Sequence, residues 1–351
     1  MIMELVYLDK NFNILKYFRF VNLQWIRRYY EPGEFSVQVP EGEYNAAAEY
    51  IYTNERPELG MIQRREHVAT YDGKVMQLSG YFYEYKLNDK ITFPRYNGNG
   101  NIETIARDMV SRYKSDIPLL RLGNIAGIGT SITKQSTGDG LAKVLFEMLA
   151  TQEMSYRTRY DYLNNIMYFE VWKGRDRTQD QSVNSFATFS ETFKNMQNVN
   201  IILDNSAYKN YAVVIGNGVY EDGNQIEVDV DLRSSSAEYK QIIYVDQTSM
   251  YYDSSQQTLA EYKEQLRQAG IEALEETRVI TNVTFDTVKG RLDYMKDYDL
   301  GDKCDIILDS IKQSFTVRII EVDELFKEGV HTITLQFGNQ LPTIYSKARR
   351  K

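Results

Sequence analysis

Apolar and polar residues alternate most regularly near the end of the sequence, in residues 298–338. Three short segments follow one another there, and polar turns separate them. In the third segment one set of alternating positions is His331, Ile333, Leu335 and Phe337, and the other is Thr332, Thr334 and Gln336. A period of two is typical of a strand with one buried face. The pattern therefore predicts three consecutive β-strands.

An earlier part of the sequence follows a similar plan. Predicted strands at 61–69, 75–87 and 91–93 come after Leu59-Gly60, and a turn at Asp72-Gly73 separates the first two. The spacing from Leu59-Gly60 to Phe93 resembles that from Leu300-Gly301 to Phe337, which suggests two related β modules around another segment. The alternative is a chance similarity between two three-stranded meanders. In a true repeat, Gly60 and Gly301 would occupy equivalent turns.

The other segments predict a mainly β chain with an α+β insertion. Strands are predicted at 3–8, 14–20, 35–39, 154–160, 165–172, 186–189, 199–203, 211–215, 226–232 and 279–285. Helices are predicted at 44–52, 102–113, 141–149 and 256–277, with Gly270 as a potential interruption of the last. Residues 97–100 are predicted to form a loop, and Ser79-Gly80 a β-bulge.

These elements divide the chain into four parts. Residues 1–95 are predicted to form a first β-barrel-like domain, and residues 96–185 a small α+β insertion. Residues 186–340 are predicted to form a second β-barrel-like domain that contains the helix at 256–277. Residues 341–351 are a basic C-terminal tail, for which a solvated end is the default interpretation.

Composition and charge exclude several classes of protein. The 351 residues carry a formal net charge of −8, which argues against a general binder of nucleic acid or anionic membranes and leaves room only for a local basic patch. No apolar run is long enough to span a bilayer, and no signal-peptide core precedes the first strand, so we expect a soluble protein that stays where it is made. The 28 tyrosines suit protein interfaces, although two-sided sheets use tyrosine as well.

The residues that usually carry chemistry are few and scattered. Cys304 is the only cysteine and lies in phase with apolar neighbours on a strand, so a buried apolar role is favoured over a reactive one. His67 and His331 lie far apart in predicted strands, which gives Cys-His or Ser-His-Asp catalysis little to build on. Zinc-binding, CxxC and EF-hand motifs do not occur. We therefore predict no catalytic, metal-binding or cofactor-binding residue, and no cofactor.

Two local patterns leave alternatives open. Gly98 and Gly100 precede a predicted helix, but a phosphate-binding loop would need further glycines or a GK[ST] sequence; Gly216 and Gly218 are interpreted as turn glycines. Glu227, Asp229 and Asp231 alternate with apolar residues, so three carboxylates share one face of a strand. A solvated outer face is favoured. A bound ion, or a pair of acids facing each other across a glycosidase cleft, is the alternative.

Short motifs spread over most of the chain resemble one family. They are Trp25 and Arg28 ahead of Gly33-Glu34-Phe35, Gly174-Arg175-Asp176-Arg177-Thr178, Phe189-Ser190 with Phe193 and Asn195, Tyr208-Lys209-Asn210, Tyr298-Asp299-Leu300-Gly301-Asp302, Arg318-Ile319-Ile320-Glu321-Val322 and Phe337-Gly338. In this order they resemble a tail protein of long-tailed phages. The sequence is similar to the siphophage family related to the central baseplate hub and to the N-terminal part of tail-associated lysins.

The resemblance implies a structural subunit at the virion tail tip, made and assembled in the host cytoplasm. It implies a homotrimer whose six related barrels dock on a hexamer of tail tube or distal tail protein, with DNA and tape-measure protein passing through without specific binding. A spike, fibre or receptor-binding protein would be a separate polypeptide, toward which Lys347 to Lys351 would project. The alternatives are the hub of a contractile injection particle or phage-tail-like bacteriocin, a cell-wall hydrolase using Asp229 and Asp231, and a glycan-binding receptor module.

Overall fold

The structure is a computed structural model, and it describes residues 3–70, 73–220 and 223–338. The first strands are β1 Leu5–Leu8, β2 Ile14–Phe18, β3 Asn22–Arg28, β4 Glu34–Pro40, β5 Tyr50–Tyr52, β6 Gly60–Met61, β7 Arg64–Thr70 and β8 Gly73–Tyr81. The middle elements are β9 Tyr96–Asn101, α1 Ile102–Tyr113, β10 Leu120–Leu122, β11 Ser131–Ser136, α2 Leu141–Ala150, β12 Ser155–Asp161 and β13 Ile166–Trp172. The last are β14 Thr188–Ser190, β15 Met196–Asp204, β16 Tyr211–Val219, β17 Gln225–Asp231, β18 Ile242–Gln247, α3 Leu259–Glu275, β19 Ile280–Thr287, β20 Lys303–Leu308, β21 Gln313–Lys327 and β22 Val330–Gly338.

One large sheet organises the molecule. Eight of its strands follow the order β15-β19-β22-β21-β3-β4-β8-β7, and every neighbouring pair in this path is antiparallel. The first half of β21 pairs instead with β20, which also pairs with β14. The three consecutive strands predicted at the end of the sequence are therefore confirmed as β20, β21 and β22.

The alternation of side chains decides which face of this sheet is buried. Leu23, Trp25, Phe35 and Val37 of β3 and β4 lie on the packed face and are fully buried, whereas the residues between them are partly exposed. β3 and β21 pair over seven residues, so the two predicted β modules contribute to one continuous sheet. A smaller sheet, β2-β1-β5-β6, packs over the first module.

The middle segment is an α+β unit, as predicted. It contains the sheet β10-β13-β12, the two-stranded ribbon β11-β9 and helices α1 and α2. The apolar residues of both helices, among them Met109 and Leu145, join one core with Phe169 of β13. Asn101 caps α1 by accepting hydrogen bonds from the amides of Glu103 and Thr104.

A second small unit lies between β15 and β19. Its sheet has the order β17-β16-β18, and α3 covers one face, where Val214, Val230 and Leu266 are buried. α3 begins with a capping box between Thr258 and Glu261 and continues through Gly270, so the expected interruption is wrong. A Cβ at Gly270 would press on Val214 and Val230, which explains why glycine suits this close contact between helix and sheet.

Several local predictions are wrong. Residues 44–52 do not form a helix; a 3₁₀ turn at Glu41–Glu43 leads through turns into β5. The strand predicted at 75–87 ends at Tyr81, because a 3₁₀ helix at Tyr83–Asp89 follows, and Ile91 makes only an isolated bridge with Gly140. The loop predicted at 97–100 belongs to β9, and the glycines at 216 and 218 lie inside β16.

Ser79 and Gly80 do not form a bulge. β8 pairs with β4 in an unbroken register, Ser79 opposite Ser36 and Gly80 opposite Phe35. A Cβ at Gly80 would overlap the carbonyl of Met61, so the glycine permits a close crossing of two chain segments.

The two Leu-Gly sequences differ in conformation. Gly301 has a φ of +82°, in the left-handed region, whereas Gly60 opens strand β6 and lies outside that region. This difference weakens the sequence argument for the repeat. The domain boundaries at 95, 185 and 340 remain predictions, and the tail at 341–351 and Asp72 lie outside the described residues.

The mainly β fold class is confirmed. None of the helices in the described ranges is long and apolar enough to cross a membrane.

Candidate functional site

The large sheet has an open face along the eight-strand path from β15 to β7. Strand pairing brings polar, partly exposed side chains into rows across it. The uncharged members of these rows include Gln24, Ser36, Gln38, Gln77, Ser79, Thr284, Thr334 and Gln336. The period-two pattern produces this face directly, because the apolar alternate positions point into the core.

The charged residues of the open face are mainly acidic. The acidic members are Glu34, Glu66, Asp204, Asp286, Glu321 and Asp323, and the basic members are Arg28, Arg64 and Lys327. Arg28 donates to Glu321 at 2.7 Å and to Glu34 at 2.6 Å, and Asp323 accepts from Gln24 at 2.7 Å. Burial raises the pKa of Asp323. The face therefore has a surplus of carboxylates and is internally hydrogen bonded.

The sheet path has two edge strands, and they differ in character. β7 carries exposed charged side chains, including Arg64, Glu66 and His67. β15 is nine residues long and exposes Val199, Ile202 and Leu203 by 36%, 47% and 51%. A long apolar edge with unpaired backbone groups is a ready site for pairing with another chain.

Buried ion pairs hold the sheet to the segments behind it. Arg27 of β3 is 2% exposed and donates to Glu58 at 2.6 Å, to Asp299 at 2.8 Å and to the Tyr294 hydroxyl at 2.6 Å. Glu58 and Asp299 lie 31 and 272 positions from Arg27 in sequence, so this contact joins both β modules.

A second buried pair lies one strand away. The Glu324 carboxylate is fully buried and accepts from Arg56 at 2.6 and 2.5 Å and pairs with His331 Nε2 at 3.1 Å. Although burial raises it, hydrogen bonds and charge from His331 and Arg56 lower the pKa of Glu324 overall. His331 is thereby used in a structural contact, and His67 lies apart on edge strand β7, 3.9 Å from Glu41.

Three of the motifs that carried the family resemblance, at 174–178, 298–302 and 318–322, meet near the middle unit. Arg177 donates to Asp302 at 2.5 Å, and both side chains are buried. Arg318 pairs with Glu153 at 2.9 Å. A Cβ at Gly174 would overlap the Gly301 carbonyl, so two motif glycines allow this junction to close. These short sequences therefore specify packing between elements.

The other candidate residues are placed as follows. Cys304 is buried in β20, where burial raises the pKa of its thiol, so the expected apolar role is confirmed. Glu227, Asp229 and Asp231 lie on one exposed face of β17, not across a cleft from one another. In the part of the chain that the structure describes, no group of three His, Cys, Asp or Glu side chains is arranged to hold a metal ion.

The helix after Gly98 and Gly100 does not present free amides to a phosphate. The Glu103 carboxylate accepts from the backbone amides of Ala126, Gly127 and Ile128 at 2.7, 2.8 and 3.1 Å. In the first turn of α1 itself, the amides of Glu103 and Thr104 donate to the Asn101 side chain, and the Ile102 amide donates to the Thr130 carbonyl. These three amides are therefore not free for an anion.

Sequence reasoning missed the edges and the long-range ion pairs. The exposed apolar residues of β15 were a detectable signal, since residues 199–203 were predicted as a strand. Which strand lies at an edge depends on pairing between segments far apart in sequence, and no local pattern reports it.

Comparison with known proteins adds a family and a fold. The family model described as Siphovirus ReqiPepy6 Gp37-like protein matches residues 4–339. The tail protein from Neisseria meningitidis MC58 superposes with a TM-score of 0.59 at 12% identity, over 96% of this chain and 95% of that chain. Prophage tail protein gp18 from Listeria monocytogenes EGD-e has a TM-score of 0.59 at 12% identity, over 99% of this chain and 97% of that chain. The 43 kDa tail protein of prophage MuSo2 from Shewanella oneidensis has a TM-score of 0.56 at 12% identity, over 95% of this chain and 98% of that chain.

At this identity the solved structures show a shared fold. A search of curated proteins gives no match.

Proposed function

The chain belongs to the Siphovirus ReqiPepy6 Gp37-like protein family, and from that premise we propose that it is a structural hub subunit at the tip of a phage tail. In this proposal three copies form a ring with pseudo-sixfold symmetry. The ring joins the tail tube or distal tail protein to a separate spike, fibre or receptor-binding protein, and it surrounds the channel for DNA and tape-measure protein. The fold shared with three tail proteins supports the general role.

The observation that carries the ring is the pair of free edges on the eight-stranded path. Seven successive antiparallel pairings separate β15 from β7, so these two edge strands run in opposite directions. In a ring of copies related by rotation about an axis, β7 of one copy would therefore meet β15 of the next as an antiparallel pair. Eight strands from each of three copies would close a path of twenty-four strands in which neither β7 nor β15 is a free edge.

The open face suits the lining of a channel. It carries hydroxyl and amide side chains with six carboxylates against three cations, as described above. A surplus of negative charge disfavours adhesion of DNA phosphates, so DNA would pass without specific binding. The packed face of the sheet would then lie outside, on the side where the Tyr29 hydroxyl donates to the Glu153 carbonyl of the middle unit.

The ring is tested by mass and by an edge variant. We expect a species of about 123 kDa, three times the 40.9 kDa chain, in light scattering or mass photometry, and a threefold ring in electron-microscopy class averages. Ile202→Lys places a charge on the apolar edge and should abolish the trimer. Ile125→Lys is the matched control, because Ile125 is 70% exposed and lies between β10 and β11, not on either edge strand.

Two outcomes would overturn the ring. One is a trimer that tolerates Ile202→Lys; the other is a chain that stays monomeric with purified tail tube or distal tail protein. The hub of a contractile injection particle or a phage-tail-like bacteriocin would give the same ring, and the identity of the captured tube protein separates these settings.

The enzymatic alternative has its own test. A cell-wall hydrolase using Asp229 and Asp231 would clear host cell walls in zymography, and Asp229→Asn with Asp231→Asn would remove the cleared band. We expect no cleared band from either protein. A glycan array tests the receptor-module alternative, for which we expect no specific binding.

A further inference from the structure

The unit formed by β16, β17, β18 and α3 is joined to the large sheet by two short connections. β15 and β19 pair as far as Asp204 and Ile280, and the whole unit lies between these two residues in sequence. Residues 205–210 lead into β16, and residues 276–279 lead out of α3. We call this unit the arm. Because the two connections lie side by side, torsional changes in them can move the arm as one body.

The arm and the middle unit have separate apolar cores. The buried apolar cluster of the arm runs from Ala212 to Leu274 in sequence, whereas the cluster that contains α1 and α2 ends at Val171. The arm meets the middle unit where α3 and the chain after β18 contact β11. We call this contact the seam. Separation along the seam would leave both apolar clusters intact.

Polar side chains hold the seam together. Lys134 of β11 pairs with Glu272 of α3 at 2.5 Å, and each side chain is 10% exposed. Gln135 donates to the side chain of Gln265 in α3 at 3.0 Å, and its side-chain oxygen accepts from the Tyr251 amide at 3.1 Å. Hydrogen bonds of this kind are replaced by hydrogen bonds to water when the groups separate, so each contributes little net free energy. The seam is therefore specific in its pairing and reversible in its energetics.

We propose that the arm has two states, one docked on the middle unit through the seam and one swung away about residues 205–210 and 276–279. The docked state is the one seen in the structure. This conformational change occurs within one copy, so it does not depend on ring formation.

The seam encloses ionisable groups from both units. A cavity of about 350 Å³ lies in it, and its charged lining residues are Lys134, Asp139, Lys143, Glu147, Asp246 and Glu272. Burial raises the pKa of Glu147 in α2 to about 8, and the arm's carboxylates Glu276 and Glu272 raise it as well, against the opposing effect of Lys143 and Lys134. Docking thus holds three carboxylates close to two ammonium groups.

The raised pKa gives the direction of the pH effect on docking. When the arm swings away, Glu147 gains water and loses the nearby carboxylates of Glu272 and Glu276, so its pKa falls toward the ordinary value of 4.5. The docked state therefore binds a proton more tightly than the open state does. Docking is strongest at low pH and weakens as pH rises through 8.

Hydrogen exchange at the Tyr251 amide reports the seam directly, because its acceptor is Gln135 of the middle unit. Exchange in the full chain, corrected for the intrinsic effect of pH on exchange rates, measures the fraction of open arm. We expect Tyr251 to exchange faster than the amides of β16, the central strand of the arm's sheet, since those require the arm itself to unfold. The corrected Tyr251 rate should rise about tenfold between pH 6 and pH 9.

Charge variants test the latch. Glu147→Gln removes the ionisable group and should abolish the rise with pH, whereas Glu66→Gln, at an exposed position on β7, should keep it. Lys134→Met leaves the Glu272 carboxylate beside Glu147 without its cation, so it should raise the open fraction about a hundredfold at pH 6. Continued protection of the β16 amides in Lys134→Met shows that the arm stays folded.

Distances between spin labels test the swing itself. Leu163→Cys in the middle unit and Tyr239→Cys in the arm are at positions 90% and 82% exposed, and both would be labelled in a Cys304→Ala background. Adding Lys134→Met should produce a second distance between these labels, whereas labels at Ile125→Cys and Leu163→Cys, both within the middle unit, should keep one distance.

Four results would each overturn the proposal. They are Tyr251 exchange no faster than that of β16, a corrected rate that does not rise with pH, a rise that Glu147→Gln retains, and a single unchanged distance between the labels at 163 and 239 in Lys134→Met.

Discussion

The buried Arg56–Glu324 pair gives a prediction whose size follows from its geometry. Glu324 is fully buried, accepts two hydrogen bonds from Arg56 and lies opposite Trp25 in the register of β21 and β3. Glu324→Leu would leave the Arg56 charge without its carboxylate, and losing one member of such a pair costs about 3–5 kcal/mol. Arg56→Met should cost a similar amount, because it leaves Glu324 unpaired apart from His331.

The double variant distinguishes a charge effect from a packing effect. With both charges removed, no uncompensated ion remains, so we expect the double variant to be more stable than the sum of the single costs by about 2–3 kcal/mol. Urea unfolding followed by the fluorescence of Trp25, in a Trp172→Phe background, measures each free energy at the strand concerned.

An exposed pair supplies the control. Arg64 and Glu66 lie 2.6 Å apart, with side chains 71% and 47% exposed, and Glu66→Gln should change stability by less than about 0.5 kcal/mol. The reasoning would be refuted if the double variant lost as much unfolding free energy as the two single variants together. It would also be refuted if Glu324→Leu lost no more unfolding free energy than Glu66→Gln.

Three further predictions concern pH, backbone approach and the core. Burial raises the pKa of Glu84 to about 7. The stability that the protonated Glu84 carboxyl contributes is therefore complete below about pH 4.5 and is lost as pH rises through 7. In urea titrations at several pH values, Glu84→Gln should be more stable than the parent at pH 8 by up to about 3 kcal/mol. Gly174→Ala should lower the urea midpoint because its Cβ meets the Gly301 backbone, whereas Gly42→Ala, with open space around it, should not. Phe189→Ala removes a fully buried ring that packs against Phe285 and Phe337, and it should cost about 3–5 kcal/mol in the same assay.

Local patterns in the sequence were sufficient for the elements whose alternation or helical period is regular. β22 and α1 fall within two residues of their predicted bounds because each buries one side of a regular element. β18 was missed, since the exposed Ile242 and Tyr244 and the buried Val245 do not separate into an apolar and a polar face. The residue types at Ser79-Gly80 suggested a bulge. The glycine is instead required because the Met61 carbonyl of another segment leaves no room for a Cβ at this position.

The candidate site was less predictable than the fold for one physical reason. An open face, a free edge and a buried ion pair are properties of strands brought together from distant parts of the chain. Arg27 and Asp299 are 272 positions apart, and neither is distinguishable in sequence from an exposed charge. Family resemblance supplied the tail context, and the pairing order supplied the edges.

The seam between β3 and β21 indicates how strong the contact between copies should be. Inside the chain this seam joins the two β modules, and Arg28–Glu321 and Gln24–Asp323 cross it on the open face. The proposed seam between copies would bring the charged side chains of β7 against the apolar edge of β15, which offers no matching row of charges. The contact between copies would then be stabilised by backbone pairing and limited apolar burial. It would lack the charge pairs that cross the seam between β3 and β21. We therefore expect a monomer–trimer equilibrium that depends on concentration and shifts toward trimer when a tube hexamer holds the copies together. Sedimentation analysis across a hundredfold concentration range checks this, and a trimer that persists undissociated at the lowest concentration would contradict it.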